Sequence, residues 1–218
     1  MKKTIFTILV LSIVCFSISE SQLIRDYGLK IGLASTNQNW NWSSQMSQTG
    51  VVFTSTKAHQ NIDVAGFIEW LDIPFFSLLT EVHYIRKGSD VTTNIAVTTI
   101  ASPDGNGQFL SYSTKINYLS VPILAKLRMS GPLLTPYIIA GPRFDYYLSG
   151  SGDNLLNDFK KIDIGGTFGV GVESASNLPI QMGLEFRYSP DFQDCFSSSG
   201  SGIAIKNRSM EFLLVLCF

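Results

Sequence analysis

The stretch Ser209-Met-Glu-Phe-Leu-Leu-Val-Leu-Cys-Phe218 decides the fold class, because its side chains alternate between two faces along its whole length. Residues two apart share one face of a β-strand. The apolar face contains Met210, Phe212, Leu214, Leu216 and Phe218. An apolar face that ends on an aromatic residue is typical of the closing strand of a transmembrane β-barrel. We therefore expect a closing strand here, with a terminal aromatic that the barrel-assembly machinery engages during insertion.

The N-terminal segment predicts export from the cytoplasm. Lys2 and Lys3 form a basic start, an apolar run extends from Ile5 to Phe16, and small residues follow. The run is too short to cross a membrane as a helix. We predict residues 1–21 as a signal peptide and residues 22–218 as one barrel domain.

The composition argues against several function classes. The sequence contains 16 Lys and Arg against 17 Asp and Glu, a formal charge of −1, so no basic excess indicates nucleic acid. The Gly165-Gly166 run lies within a predicted strand and lacks the spacing of a nucleotide-binding loop. No cofactor and no metal are expected. Cys195 and Cys217 are predicted at opposite ends of the barrel and therefore unbridged.

Eight alternating runs, separated by turn-rich polar stretches, predict eight strands. They cover residues 27–35, 62–71, 76–87, 115–129, 136–149, 161–174, 180–189 and 209–218. Long connections (36–61, 88–114, 150–160 and 190–208) alternate with short ones (72–74, 130–135 and 175–179). This alternation is typical of outer-membrane barrels, with long external loops and short periplasmic turns. The predicted fold is an all-β, eight-stranded antiparallel up-and-down transmembrane barrel with periplasmic termini.

The parity of each strand predicts which side chains face lipid and which face the lumen. Outward aromatic residues near the strand ends predict two girdles at the membrane interfaces. These aromatics are Trp70, Tyr84, Tyr146, Tyr188 and Phe218. Pro122 and Pro142 fall inside strands and at nearly the same level, where a missing ladder donor predicts a bulge or gap in the wall.

Charged side chains that face the lumen are predicted to form a structural network. Eight strands leave an interior just wide enough for side chains, and an isolated buried charge is costly unless it is paired. The predicted network contains Lys30, Glu69, Glu81, Lys126, Arg128, Arg143, Asp145, Asp163, Glu173, Glu185, Arg187 and Glu211. A narrow or gated ion path is the alternative interpretation of the same residues.

The predicted external loops are the candidate contact surface. Trp40 and Trp42, among polar Asn and Gln residues, suit contact with a glycan or a protein. Residues 91–100 alternate in a way that can extend their hairpin above the membrane as a recognition ribbon. Solvated loops without a partner are the alternative. His83 and Glu81 face inward, but no coherent nucleophile and base accompany them, so catalysis is not expected.

Several segments resemble an outer-membrane β-barrel family that includes PorT-type proteins. They are Phe67-Ile-Glu-Trp70, Glu81-Val-His-Tyr84, Tyr118-Leu-Ser-Val-Pro-Ile-Leu-Ala-Lys126, Ala140-Gly-Pro142, Gly169-Val-Gly-Val-Glu173 and Lys206-Asn-Arg-Ser209. The resemblance covers nearly all of the mature chain except the external loops. It implies a small barrel similar in architecture to the OmpA and OmpX transmembrane domains, with no catalytic residues. For a few members it also implies a link to secretion machinery.

The sequence therefore predicts an integral protein of the bacterial outer membrane, without enzymatic activity. We expect a structural or accessory component whose loops contact a secretion, transport or surface partner. Its other expected contacts are outer-membrane lipid and the barrel-assembly machinery. A narrow passive channel of porin type is the first alternative, followed by a membrane-embedded enzyme built around His83. A soluble ligand-binding barrel of lipocalin type is the last.

Overall fold

The computed structural model describes residues 23–42, 51–99, 102–129, 131–151, 160–174, 181–198 and 203–218. The predicted signal peptide, residues 1–21, lies outside the described residues. The described part contains nine strands: β1 (Ile24–Trp42), β2 (Val51–Ile73), β3 (Phe76–Thr99), β4 (Ser102–Arg128), β5 (Leu134–Ser151), β6 (Ile162–Ser174), β7 (Gln181–Pro190), β8 (Phe196–Ser198) and β9 (Ile203–Cys217). Within these ranges, no helix is long and apolar enough to cross a membrane.

The sheet closes on itself as a barrel of eight antiparallel strands. β1 to β7 pair with their neighbours in chain order, and β9 pairs with β7 on one side and with β1 on the other. The three-residue strand β8 pairs with β9 outside this ring. The predicted eight-stranded up-and-down barrel is therefore confirmed.

Four strands extend much further than predicted at one end of the barrel. β1 to β4 contain 19, 23, 24 and 27 residues, whereas about 9–11 residues suffice to cross a membrane. Residues 36–61 and 88–114 were predicted as loops, but most of them lie in strands. Trp40 and Trp42 therefore belong to β1 and not to a loop. The predicted loop 190–208 likewise contains β8 and the first part of β9. We call this the long-strand end, and the opposite end, with its brief connections, the short-turn end.

The strands place apolar side chains on the outer surface and polar side chains in the interior. In β7, Leu184 and Phe186 are exposed, whereas Glu185 and Arg187 are each 1 % exposed. The same alternation runs through the last strand, where Phe212 is exposed and Glu211 is buried. A soluble barrel has the reverse arrangement, so this surface suits a surrounding apolar medium.

Both prolines interrupt the strand ladder without changing its register. Between β3 and β4 the pairing stops after Thr80 and resumes at His83, beside Pro122. Between β4 and β5 it stops after Pro122 and resumes at Ala125, beside the segment that contains Pro142. A missing N–H removes ladder bonds but inserts no residue. The predicted gap is present, and the predicted bulge at this level is wrong.

Glycines on the inner face of β6 make room for large side chains from β5. A Cβ atom at Gly171 would overlap the ring of Tyr137, and one at Gly165 would overlap the guanidinium of Arg143. The Tyr137 ring therefore lies directly on the β6 backbone, and its hydroxyl donates a hydrogen bond to Glu185 Oε2 at 2.7 Å. The inward glycines thus set how far these side chains reach across the lumen.

The substitution Gly171→Ala tests this packing. The added methyl group must displace the Tyr137 ring, so we expect the free energy of unfolding to fall by about 1–3 kcal/mol. The measurement is unfolding in urea, followed by the shift in gel migration between folded and unfolded barrel. Gly66→Ala is the matched control, because a Cβ there meets nothing within 4 Å. Equal stability of the two variants would contradict the packing argument.

Candidate functional site

The structure places all twelve predicted lumen charges in the interior, each at most 6 % exposed. Most of them belong to three groups with one composition, which we call charge quartets. Each quartet contains one lysine, one arginine and two carboxylates, and each base contacts both acids. The formal charge of a quartet is therefore zero.

The central quartet contains Lys30, Arg187, Glu81 and Glu185. Arg187 donates to both oxygens of Glu81 at 2.7 and 2.8 Å, and Lys30 Nζ donates to Glu81 Oε1 at 2.8 Å. Both bases also bind Glu185. Lys30 Nζ lies 3.1 Å from Glu185 Oε2, and Arg187 Nε donates a hydrogen bond to Glu185 Oε1. A two-pronged guanidinium–carboxylate pair is among the strongest ionic contacts in proteins. This arrangement satisfies four buried charges without bulk water.

The short-turn quartet repeats this pattern near the ends of the strands. Lys126 Nζ lies 3.1 Å from Glu69 Oε2 and 2.7 Å from Glu173 Oε2. Arg128 contacts Glu69 and donates through Nε to Glu173 Oε1 at 3.2 Å. Its Nη2 donates to Ser77 Oγ at 3.0 Å.

The long-strand quartet contains two residues that the predicted network lacked, Lys87 and Asp191. Lys87 Nζ lies 2.5 Å from Asp145 Oδ2 and 3.3 Å from Asp191 Oδ1. Arg143 donates to Asp145 Oδ2 at 2.9 Å and also binds Asp191. Lys87 is the last residue of the predicted third strand, 76–87, and shares the parity of Glu81, so the pattern itself points to the interior. Asp191 was assigned to a loop, although it shares the parity of Glu185 and Arg187, and pairing with β6 and β9 continues in register to it.

Each quartet lysine also lies over an aromatic ring. The distances from Nζ to the ring centroid are 5.1 Å for Lys30 and Phe67, 5.3 Å for Lys87 and Tyr118, and 4.3 Å for Lys126 and Tyr137. The negative face of an aromatic ring attracts a cation at such distances. The rings therefore fill the space beside the charges and add to their stabilisation.

His83 extends the central quartet and has both ring nitrogens occupied. Nδ1 lies 2.9 Å from Asp63 Oδ1, and Nε2 lies 2.7 Å from Glu81 Oε2. Arg187 Nη1 lies 3.3 Å from Nε2. Asp63, another residue outside the predicted network, shares the parity of Glu69. No hydroxyl or thiol is among these contacts of His83, although Ser120 and Thr167 line the same small cavity.

Two predicted lumen charges remain outside the quartets. Asp163 Oδ1 accepts a hydrogen bond from the backbone N–H of Ile164 at 2.9 Å. Glu211 Oε1 accepts one from Ser209 Oγ at 2.6 Å. Both side chains are buried, so the interior contains more carboxylates than the bases of the quartets balance.

The segment after β7 first continues the wall beside β6 and β9 and then caps inward side chains at the long-strand end. Asp191 donates its backbone N–H to Asn207 O at 3.0 Å, and Phe192 donates to Ile164 O at 2.9 Å. Cys195 is fully buried and unbridged, and burial raises the pKa of its thiol. Trp40 packs partly buried beside Cys195 and its neighbours. The structure thus gives Trp40 a packing contact beneath this cap.

Little space remains between the central and long-strand quartets. A cavity of about 10 Å³ lies there, lined by His83, Lys87, Arg143, Arg187 and Glu211 among others. A volume of that size holds about one water molecule. Within the described residues, no group of three or more His, Cys, Asp or Glu side chains is arranged to hold a metal ion.

The five predicted interface aromatics all lie on the outer wall. Tyr84, Tyr146, Tyr188 and Phe218 are exposed on the barrel surface, and Trp70 is half-buried. Trp70 Nε1 donates a hydrogen bond to Thr80 Oγ1 at 2.8 Å, which satisfies the hydroxyl that parity places on the apolar surface.

Removing one base from the central quartet tests its energetic role. Arg187→Met leaves Glu81 and Glu185 with one base in place of two, so we expect the free energy of unfolding to fall by about 3–5 kcal/mol. Urea unfolding of the purified barrel measures the change. Arg208→Met removes an exposed arginine from β9 and serves as the matched control. If Arg187→Met unfolds at the same urea concentration as that control, the quartet does not stabilise the barrel.

Solved structures of outer membrane proteins are similar to this chain. The outer membrane protein OprG of Pseudomonas aeruginosa superposes with a TM-score of 0.50 at 8% identity, over 90% of this chain and 97% of that one. The outer membrane protease OmpT of Escherichia coli gives a TM-score of 0.50 at 9% identity, over 93% and 99%. The attachment invasion locus protein Ail of Yersinia pestis gives 0.40 at 9% identity, over 88% and 98%.

The identities with these structures are low, so the likeness shows the fold alone. Among curated protein sequences, none matches this chain. A family described as "Outer membrane protein beta-barrel domain" matches residues 21–197, which is most of the chain. The closed barrel, its apolar outer surface and this match together show that the chain belongs to the outer-membrane β-barrel domain family and is a protein of the bacterial outer membrane.

Proposed function

We propose that this barrel is a non-enzymatic structural or accessory component that binds a secretion, transport or surface partner at its long-strand end. In this proposal the signal peptide at residues 1–21 directs export, the termini are periplasmic and the long-strand end faces the cell exterior. The observation that carries the proposal is an open strand edge in β4. The barrel wall and its interior supply the rigid support for that edge.

The interior supports a role outside the lumen. The three quartets and the cap after β7 fill the space in which a channel would run, and the cavity between the quartets holds about one water molecule. His83 has carboxylates on both ring nitrogens and is 3 % exposed. A substrate would need to displace paired charges to reach it. These features disfavour the alternatives of a passive channel and of a membrane-embedded enzyme.

The open edge lies where β4 extends beyond its second neighbour. Residues 102–114 of β4 pair with β3. On the other side, pairing with β5 begins only at Lys115 and Ser151, so the described residues provide no second partner strand for 102–114. A long unpaired edge presents a row of free N–H and C=O groups. An extended segment of another protein can add to such an edge as one more strand.

The prolines reveal which β4 amides point toward this edge. The ladder to β3 is interrupted beside Pro122, while Pro122 itself pairs with Arg143 of β5. Its missing N–H therefore belongs to the β3 side. Because successive amides of a strand point to opposite sides, even-numbered amides of β4 point toward β3 and odd-numbered amides toward the open edge. The amide of Ser111 belongs to the open edge.

The substitution Ser111→Pro tests whether a partner uses this edge. Proline removes the outward N–H but no bond to β3, so the barrel is expected to insert normally. Ser111→Ala keeps the N–H and is the matched control. Tagged proteins are extracted from native outer membranes in mild detergent, and their complexes are sized and identified by mass spectrometry. We expect a stoichiometric partner with the unchanged protein and with Ser111→Ala, and at least about a tenfold loss of it with Ser111→Pro.

Two results would contradict this function. One is a lone monomer from native membranes. The other is a partner whose recovery is the same with proline and with alanine at position 111.

A further inference from the structure

Two rows of outward side chains mark a boundary on the wall formed by β3, β4 and β5. The first row contains Tyr84, Leu119 and Tyr146, which pair across the three strands and are all exposed. The second row is the next outward one toward the long-strand end. It contains Arg86, paired with Asn117, and Ser149, paired with Asn117 from the other side.

The spacing of the rows fits the edge of a bilayer. Along β3 and β4 the rows are two residues apart, which corresponds to about 6.6 Å. Along β5 they are three residues apart, because a register shift beside Asn117 inserts one residue. Tyrosines lie where the hydrocarbon meets the headgroups in membrane barrels. The second row therefore lies at the depth of the headgroups. This placement rests on the orientation given under the proposed function, with the long-strand end outside the cell.

The second row is linked by hydrogen bonds that run in one direction. Arg86 Nε donates to Asn117 Oδ1 at 2.9 Å, and Asn117 Nδ2 donates to Ser149 Oγ at 2.9 Å. Asn117 thus binds only the Nε of the Arg86 guanidinium. The two terminal nitrogens of Arg86 have no partner among the described residues, and Ser149 still has its hydroxyl proton to donate. The row presents donors, which suit an anionic ligand.

Lys115 adds a second cation beside Arg86. It lies opposite Gly88 of β3, one outward position beyond Asn117, and is therefore a diagonal neighbour of Arg86. Lys115 has no ion pair with a described residue, in contrast to the quartet bases of the interior. Asp90 of β3 is the other diagonal neighbour of Lys115, but it forms no ion pair with Lys115 and lies 3.9 Å from His59 Nδ1. The cluster of Arg86, Lys115, Asn117 and Ser149 thus carries two positive charges.

We propose that this cluster binds a phosphate group of an outer-leaflet glycolipid headgroup. A guanidinium with two free nitrogens matches two phosphate oxygens, and an ammonium adds a point charge beside it. The row of Tyr84, Leu119 and Tyr146 contacts the first methylenes of the acyl chains. One lipid molecule therefore contacts both rows, with its phosphate at the second row and its acyl chains at the first. A soluble anion would satisfy only the second row.

The test compares lipid A with lipid A whose phosphates have been removed. The purified full-length barrel in detergent is incubated with each lipid, and native mass spectrometry gives the bound fraction. We expect tighter binding of the phosphorylated lipid and about a tenfold loss with Arg86→Gln, the size of one strong charge-assisted contact. Lys115→Gln should lose less, and the double variant should bind both lipids equally. Folding of each variant is checked by its heat-dependent gel migration.

Arg208→Gln is the matched control, because Arg208 is an exposed outward arginine on β9, away from β3 to β5. Its binding of lipid A should equal that of the unchanged protein. Equal binding of the two lipids, an unchanged affinity of Arg86→Gln, or an equal loss with Arg208→Gln would overturn the proposal. Complete displacement of lipid A by millimolar inorganic phosphate would identify a free-anion site instead. No protein partner takes part, so failure here is distinct from failure of the partner proposal.

Discussion

A charged group inside a space too narrow for bulk water must meet an opposite charge, and this constraint organises the barrel. The quartets meet it in the same way at three levels, with one lysine, one arginine and two carboxylates. Each quartet joins segments that are not neighbours in the sheet. The central one links β1, β3 and β7, and the short-turn one links β2, β4 and β6. The ion pairs therefore connect strands across the lumen, whereas backbone hydrogen bonds join only adjacent strands.

The same constraint explains features of the wall. Gly171 gives Tyr137 the room to reach Glu185, and Gly165 gives Arg143 the room to lie beside the β6 backbone. Between the central and long-strand quartets, the cavity has a volume of only about 10 Å³. On one side of residues 102–114 of β4, the described residues provide no partner strand. The interior bases form ion pairs, whereas Arg86 and Lys115 form none with a described residue.

Much of this architecture was predictable from the sequence, because two-residue periodicity assigns each side chain to one face. It placed Glu81, Lys126 and Arg187 in the interior and Tyr84 on the outer wall. This periodicity does not identify strand segments in which both faces are polar. Residues 36–42 carry no lipid-facing pattern, yet backbone pairing continues through them. From residue 91 onward, by contrast, the alternation did predict the extended hairpin that β3 and β4 form. Asp191 was also missed, because the predicted strand ended at residue 189, whereas pairing with β6 continues in register to Asp191 and keeps the inward parity of Arg187.

The central claim is that paired charges close the lumen, and the most direct measurement is ion conductance of the purified barrel in a planar bilayer. The account predicts no steady conductance at neutral pH and moderate voltage, because each quartet blocks the path with its own ion pairs. Stable, ohmic single-channel steps from the unchanged protein would contradict it. They would show that the interior is an open ion path.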